Sequence, residues 1–402
     1  GSDDGRYQRM NKVVKQIFNP SALVTVLAVL ASFLIGGLLI AFANEDVQAT
    51  SGYLFARPTD FLSAVWNAVF GAYDALFRGS IFNYKAMDSV GMIKPLTETL
   101  TYATPITLAG LGMAVAFRSG LFNIGGTGQI IFGAMGAAWV GFSLELPAII
   151  HLPVAVIAGI LASALFGGFV GFLKAATGAN EVIVTIMMNY IASLLLFWIL
   201  TTPLFQAPNA TNPISPEIAA SAKYWRFMGD DYRINAAFFV MLAMVATVWW
   251  LLNRSSIGFQ FRALGHNPNA AKTAGINIGV TYVLVMAVSG ALAGLAGTAQ
   301  VLGAEKYLTP SVAASFGFDA ITVALLGRSK PLGVLAAGVL FGALRAGAVI
   351  MQANQKVPID IVLIVQSLVV LFIAAPPLVR FMFGLPDPEK KAAKAAAKGV
   401  AA

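Results

Sequence analysis

The chain has 402 residues, of which 58% are hydrophobic and 11% are charged, and its mean hydropathy is +0.78. Soluble globular proteins average roughly 25% charged residues, so this composition excludes that class. The sequence has no cysteine and two histidines, His151 and His266, that lie far apart. We therefore expect no disulfide, no metal site and no catalytic residue on this chain.

The net charge is +8 at pH 7. The positive residues lie at the ends of apolar segments and in the two tails rather than in an aromatic-rich domain, so we expect membrane lipid and no nucleic acid as a partner. The two polar tails define the limits of the membrane domain. We expect residues 1–20 to be a cytoplasmic N-terminal segment in which 1–5 are a cloning remnant, 21–380 to be the transmembrane domain, and 381–402 to be a basic cytoplasmic tail.

Apolar runs long enough to cross a bilayer recur along the whole chain, since about 20 residues suffice for a helix. Nine such runs cover residues 23–43, 97–117, 124–142, 153–173, 182–200, 236–252, 280–302, 332–350 and 359–374. A tenth run, 318–327, is long enough for only half a bilayer. The sequence predicts an all-α, polytopic membrane helix bundle of about ten segments, one of them a half-helix.

Lysine and arginine near the ends of the segments predict the orientation, because they favour the cytoplasmic side. An arrangement with both termini cytoplasmic puts most basic residues inside and most acids outside. The loop 256–279 is then cytoplasmic. The cytoplasmic set is Arg6, Arg9, Lys12, Lys15, Arg118, Lys174, Arg254, Arg262, Lys272, Arg328, Lys330, Arg380, Lys390, Lys391, Lys394 and Lys398.

Two regions on the opposite side are long enough to carry structure. Residues 58–77 have apolar side chains at helical spacing and predict an amphipathic surface helix. Residues 202–235 contain four prolines and predict an irregular external cap. Either region could dock an extracellular delivery protein, although packing on the protein surface is the more common role. Within the segments, small residues such as those of SGALAGLAG predict close helix contacts.

The segment 118–129, RSGLFNIGGTGQ, places glycines and polar side chains at a helix junction. Irregular backbone at membrane depth is tolerated where it is buried in protein or lines a watery cavity. Asn123 and Gln129 are thus candidates for a solute pathway, and the alternative is a glycine-rich turn with Asn123 as an N-cap. Pro105 in the preceding segment predicts a kink.

Three further side chains in apolar segments are candidates. Asn189 needs a partner, which is either another helix or a solute. Glu181 is explained by the favourable position of an acid at a helix start, and a functional role is the alternative. Arg345 could reach the water or pair with an acid such as Asp319 or Glu98.

The half-helix carries Phe318, Asp319 and Thr322. An acid at its first turn is the simple explanation of Asp319, but interrupted helices also mark binding sites in transporters.

The loop 256–279 contains the signals of a short surface helix. Asn267 suits the N-cap, Pro268 the first helical position and Gly275 the stop. A membrane protein that presents such a basic loop is expected to meet a soluble partner there.

Phosphate-binding GxxxxGK[ST] and zinc-binding HExxH motifs are missing from the sequence, so the chain itself cannot hydrolyse ATP by the P-loop route. Ionisable residues are also scarce at mid-membrane depth, which disfavours the alternative of an ion-coupled secondary transporter. We expect the energy for any transport to come from another subunit.

Five motifs in order resemble one family: GLFNIGGTGQ, NEVIVTIMMNYIA, GFQFRALGHNPNAAKTAGI, SGALAGLAG and GFDAITVALLGRSKPLG. They resemble ABC-importer permeases of the branched-chain amino acid and simple-sugar group, most closely the nucleoside-type branch. The resemblance implies a permease of the bacterial cytoplasmic membrane that imports nucleosides or related neutral solutes, with simple sugars as the alternative. It also implies a second permease, a cytoplasmic ABC ATPase, possibly tandem, that binds ATP and Mg, and an extracytoplasmic substrate-binding lipoprotein.

The resemblance adds roles for residues in this sequence. It implies an ATPase-coupling helix that involves Arg262, Gly265, Asn267, Pro268, Ala270, Ala271 and Lys272. Together with the candidates above, it gives a solute pathway of Asn123, Gln129, Asn189, Phe318, Asp319 and Thr322. The sequence departs from the family at Thr127, where members often carry glutamate, and lacks an acid near His266. Roles that need those carboxylates are not expected here.

Overall fold

A computed structural model describes residues 20–355 and 357–384. These residues form helices and loops without strands, which confirms the all-α class. The N-terminal segment and most of the basic tail predicted above lie outside the described residues. The chain divides into two compact units, one of the described residues 20–75 and 351–384 and one of residues 76–350.

The first unit is built on three long helices and two short ones. They are α1 (Pro20–Ala43), α2 (Glu45–Ser51), most of α3 (Pro58–Ser80), α14 (Ile359–Ala374) and α15 (Pro376–Met382). Its core includes Val24, Ala28 and Ala31 of α1 with Phe372 of α14 and Val379 of α15.

The helix predicted over 58–77 is α3. Its two faces differ in the size of their side chains. Its alanines Ala68 and Ala72 are buried, whereas the large side chains of Leu62, Trp66 and Phe70 are exposed. The rings of Trp66 and Phe70 stack on each other. The small residues therefore permit close packing inside the unit, and the large apolar residues face away from it.

The second unit contains the remaining α-helices, except that residues 351–355 at the end of the last one belong to the first unit. In chain order they are α4 (Ser89–Arg118), α5 (Gly126–Ser143), α6 (Ala148–Thr177), α7 (Glu181–Ile199), α8 (Ala237–Arg254), α9 (Ser256–His266), α10 (Pro268–Thr273), α11 (Ile278–Ala299), α12 (Phe316–Leu326) and α13 (Pro331–Gln355). The assigned helix α4 continues through Pro95 and Pro105. The 11-residue α12 is the predicted half-helix.

Glycines bring α11 into backbone contact with its neighbours, as the small-residue motifs predict. A Cβ at Gly133 of α5 would overlap the backbone of Gly294, and one at Gly290 would lie 2.5 Å from the Ser163 carbonyl oxygen of α6. Such contacts replace the hydrophobic force that is missing between helices in lipid. The result is a dense bundle around α11.

Among the described residues, seven helices are long and apolar enough to cross a membrane, or eight if the bent pair Asp360–Phe372 and Pro376–Met382 is one span. The glycine-rich α5 and the short α12 are outside this set. The number of crossings and the side on which the termini lie therefore stay predictions.

The irregular cap is present and packs against other parts of the second unit. Ser215 and Ile218 donate backbone hydrogen bonds to the carbonyls of Leu308 and Lys306. Buried His151 contacts Ser221 of the cap through Nδ1 at 2.7 Å. These contacts fix the cap to the helix ends.

Burial also changes the pKa values of two side chains in the cap, Tyr224 and Arg233. It raises the pKa of Tyr224 to about 12, and the Tyr224 hydroxyl is 3.2 Å from that of Thr298. Burial lowers the pKa of Arg233, but the nearby Glu98 carboxylate, Tyr102 and Glu305 together more than compensate and raise it above its ordinary value. Arg233 therefore stays charged beside Glu98 at physiological pH.

Candidate functional site

A buried polar cluster forms where the chain leaves α4 and enters α5. The Asn123 side chain donates to Gln129 Oε1 at 3.1 Å and to Ser289 Oγ at 2.8 Å. The side-chain oxygen Oδ1 of Asn123 accepts a hydrogen bond from the Gly125 backbone amide at 2.8 Å. Asn123 thus ties the junction to α11, while the N-cap position of α5 is Gly125. The alternative of Asn123 as the N-cap is wrong, because the helix begins three residues after it.

Asn189 of α7 bonds to the segment around the start of α5, which is the first of the two kinds of partner expected for it. Its Oδ1 accepts the Gly128 amide at 2.8 Å, and its Nδ2 donates to the Ile124 carbonyl at 2.8 Å. One side-chain amide thus satisfies a backbone amide in the first turn of α5 and a carbonyl of the loop before it. The pathway role of Asn123, Gln129 and Asn189 stays a prediction.

Sequence reasoning missed two side chains of this cluster. Ser289 of α11 holds Asn123, and Thr185 of α7 accepts the Ile124 amide at 3.3 Å. Small hydroxyl residues in an apolar helix are the available signal, because they bond across helices in membranes. Glu181 is at the start of α7 and forms an ion pair with Lys174 at 2.7 Å.

The half-helix α12 separates its candidate residues onto two faces. The Phe318 side chain is 58% exposed, and Thr322, partly exposed, donates to the Phe318 carbonyl one turn earlier. Asp319 is buried, and it points about 100° around the helix from Phe318. Only Phe318 and Thr322 of the six pathway candidates therefore present side chains to the surface of this chain.

Asp319 pairs with Arg345 of α13. The guanidinium Nε and Nη2 atoms lie 2.8 and 2.7 Å from Asp319 Oδ2, and Ser315 Oγ donates to the same oxygen at 3.2 Å. The predicted pairing of Arg345 with an acid is confirmed. Glu98 is not that acid, because Arg233 holds it at 3.0 Å.

The start of α12 packs directly on the start of α5. A Cβ at Gly317 would overlap the Thr127 backbone and hydroxyl. Among the described residues, Thr127 Oγ1 is a buried hydroxyl without a hydrogen-bond partner. The position at which the family often has a carboxylate is thus a tight, neutral contact in this chain.

The loop 256–279 contains two helices rather than one. The predicted short helix is α10: Asn267 caps it through bonds from the amides of Asn269 and Ala270, and Pro268 is in its first turn. Gly275 follows with φ +85°, a conformation that glycine adopts without strain. The preceding helix α9 was missed, although Ser255 caps it through the Gly258 amide.

The surface of this loop differs in part from the prediction. Pro268, Ala270 and Lys272 are exposed, and Arg262 is partly exposed. Ala271 is 3% exposed, so it lies on the buried side of this six-residue helix rather than on its exposed face. The coupling role of the segment stays a prediction.

Gly265 of α9 meets the turn that follows α4. A Cβ there would overlap the Arg118 carbonyl oxygen and lie 2.9 Å from the Ser119 carbonyl carbon. Gly120 in that turn has φ +72°. Glycine is required on both sides because backbone meets backbone at this contact.

The described residues contain no group of three or more histidine, cysteine or acidic side chains that could hold a metal ion. The polar residues of the junction bond to one another and to backbone groups rather than forming a nucleophile and base pair. The arrangement is suited to position helices in a membrane.

Comparison with known proteins identifies the family. The family described as "Branched-chain amino acid transport system / permease component" matches residues 96–374. The guanosine ABC transporter permease protein NupP of Bacillus subtilis is 36% identical over 90% of this chain and 95% of its own length.

Two further relatives are a nucleoside permease and a glucose permease. The nucleoside ABC transporter permease protein NupB of Lactococcus lactis is 30% identical over 93% of this chain and 95% of its own. The glucose ABC transporter permease protein TsgB13 of Haloferax volcanii is 29% identical over 87% of this chain and 86% of its own. The chain belongs to the family of branched-chain amino acid transport system permease components and is an integral membrane permease subunit of an ABC transporter.

Proposed function

We propose that this chain is a permease through which nucleosides enter a bacterial cell, driven by separate ATPase subunits. The observation that carries the substrate class is the 36% identity to a guanosine permease along almost the whole of both chains. The chain is matched as a permease component, and ATP and Mg are bound by the ATPase partner.

The solute pathway in this proposal runs along the exposed face of α12. Phe318 offers an aromatic ring to a nucleobase, and Thr322 offers a hydroxyl one turn away. A second permease covers this face and completes the pathway. The four buried candidates do not contact the solute in this proposal. Their hydrogen bonds and ion pair position the starts of α5 and α12; these residues are Asn123, Gln129, Asn189 and Asp319.

Energy enters, in the same proposal, through the exposed face of α10. Pro268, Ala270 and Lys272 present a small, basic surface on which a cytoplasmic ATPase docks. The Gly265 contact then passes the displacement into the bundle without a flexible side chain in between. An extracytoplasmic lipoprotein delivers the nucleoside at the other end.

Uptake by the complete complex tests the proposal. The chain is reconstituted in proteoliposomes with its second permease, ATPase and binding lipoprotein, and uptake of labelled guanosine is measured with and without ATP. Uptake should require ATP, and unlabelled nucleosides should compete while glucose does not. An ATPase with its phosphate-binding lysine replaced is the control.

A sugar importer is the second candidate, because TsgB13 is a glucose permease at 29% identity. The same assay with labelled glucose separates the two. ATP-dependent glucose uptake without guanosine uptake would show that the substrates are sugars rather than nucleosides.

The pathway residue can be tested with a matched pair. Phe318→Ala should raise the nucleoside KM by roughly tenfold, since stacking a base on an aromatic ring is worth about 1–3 kcal/mol. Phe169→Ala is the control, because Phe169 of α6 is an exposed phenylalanine of similar accessibility, 48%. Equal effects of both changes would argue against a pathway along α12.

A further inference from the structure

The three residues 118–120 form a turn with two contacts that are far apart in sequence. We call Arg118, Ser119 and Gly120 the relay turn. On one side, Gly265 of α9 lies against its backbone. On the other side, the Arg118 side chain donates from Nε to the Ser329 carbonyl at 3.2 Å, across 211 positions of sequence.

The contact with α9 is rigid. A Cβ at Gly120 would lie 3.1 Å from the Gly265 Cα, and a Cβ at Gly265 would overlap the Arg118 carbonyl oxygen. Side chains can change rotamer to absorb a displacement, but two packed backbones cannot. A movement of α9 toward the bundle therefore has to move the relay turn.

The contact with Ser329 is at a strained position. Arg328 and Ser329 link α12 to α13, and their φ angles are +53° and +51°. Residues with a Cβ adopt this conformation at a cost, and they keep it only where surrounding contacts hold them. The Ser329 amide bonds to Ala324 of α12 at 2.8 Å, and Arg118 holds the carbonyl of the same residue.

We propose that Arg118 is a positioning residue that transmits movement of α9 to the half-helix α12. The proposal rests on the proposed docking of an ATPase at α10. When α9 moves, the relay turn moves with it, and the guanidinium pulls the strained linker at the end of α12. The pathway face of α12 is then coupled to ATP through one charge-assisted hydrogen bond.

The test uses single cysteines, labelled before the complex is assembled, because this chain has no cysteine of its own. One cysteine replaces exposed Asn269 of α10 and another replaces exposed Leu325 of α12, in separate samples. Each carries an environment-sensitive fluorophore. Its emission is recorded in the reconstituted complex before and after ATP addition. Both labels should respond to ATP in the otherwise unchanged chain.

Arg118→Gln should abolish the response at position 325 and keep the response at 269. Arg254→Gln is the matched control, because Arg254 is also the last residue of a helix and is exposed. It should keep both responses. Transport per ATP hydrolysed should fall on the order of tenfold in Arg118→Gln, the change expected for one lost hydrogen bond from a charged donor.

Ser329→Gly provides a second variant in case Arg118→Gln does not fold. Glycine accepts positive φ without strain, so the linker folds but yields when Arg118 pulls, and the response at 325 should weaken about twofold. An unchanged response at 325 in either variant that folds, with a normal response at 269, would overturn the relay alone. An absent response at 269 in the unaltered chain would overturn the docking proposal and the relay together.

Discussion

Asp319 and Arg345 form a largely buried ion pair in which one carboxylate oxygen accepts hydrogen bonds from two guanidinium nitrogens, at 2.8 and 2.7 Å. The pair joins the first turn of α12 to the middle of α13. It faces the protein interior, whereas Phe318 one residue earlier faces outward. The half-helix is thus fixed on one side by charge and left open on the other.

Removing one partner of this pair should be costly. Asp319→Ala leaves the Arg345 charge unpaired and should lower the free energy of unfolding by about 3 kcal/mol. Thermal unfolding of the purified protein in detergent measures the effect. The double change Asp319→Ala with Arg345→Met should recover part of the loss, because it removes the unpaired charge.

The exposed pair of Arg57 and Asp60 is the control for that measurement. Its atoms are 3.8 Å apart and its side chains are 76% and 42% exposed. Asp60→Ala should change the free energy of unfolding by about 0.5 kcal/mol or less. Equal losses at Asp60 and Asp319 would contradict the importance of burial.

Asn189 should be structurally important. Asn189→Ala leaves the Gly128 amide and the Ile124 carbonyl without their partner, and it should cost about 2 kcal/mol of unfolding free energy. Asn253→Ala is the matched control. Asn253 is exposed and donates to the Trp249 carbonyl in its own helix. A thermal shift no larger in Asn189→Ala than in Asn253→Ala would argue that α7 holds the junction by packing alone.

Gly265→Ala should destabilise the protein even though alanine favours helices. The added methyl overlaps the Arg118 carbonyl oxygen, and backbone contacts cannot relax by a rotamer change. Gly279→Ala in α11 meets only side-chain atoms at 3.5 and 3.6 Å and should stabilise by up to about 1 kcal/mol. Thermal unfolding of the two variants should shift in opposite directions, and a shared direction would refute the tight contact of α9 with residues 118–120.

Ala270→Glu tests the docking face without disturbing the fold, because Ala270 is exposed. An unpaired charge buried in an interface costs several kcal/mol, so ATPase binding should weaken on the order of 100-fold. Unfolding should stay unchanged. The control is Ala176→Glu, an exposed alanine in the last turn of α6. Co-purification of the ATPase with both variants at equal yield would place its docking site elsewhere.

Local patterns were sufficient for several features. The length of the apolar runs predicts the long helices, because a run of about 20 such residues can cross lipid only as a helix. Asn267, Pro268 and Gly275 predict α10 almost to the residue, since a cap depends on neighbours within one turn. The short run 318–327 predicts α12. Helix α9 was missed because its few apolar residues gave a weaker signal than the long segments around it.

Partnerships between distant residues were decided by the tertiary structure. The sequence leaves Arg345 a choice of acids, and the fold resolves it because Arg233 already holds Glu98. The amide of Asn123 could bond many groups, and the packing of α11 places Ser289 beside it.

The same holds for the face that a residue presents. Ala270 and Ala271 are equivalent in sequence, yet one is exposed and the other buried, since adjacent residues of a helix point about 100° apart. The sequence by itself determined which segments are helices in a membrane, because that depends on length, polarity and caps. Only the tertiary structure decided which polar groups meet and which remain on the surface, because hydrogen bonds and ion pairs depend on distances of about 3 Å that no local pattern specifies.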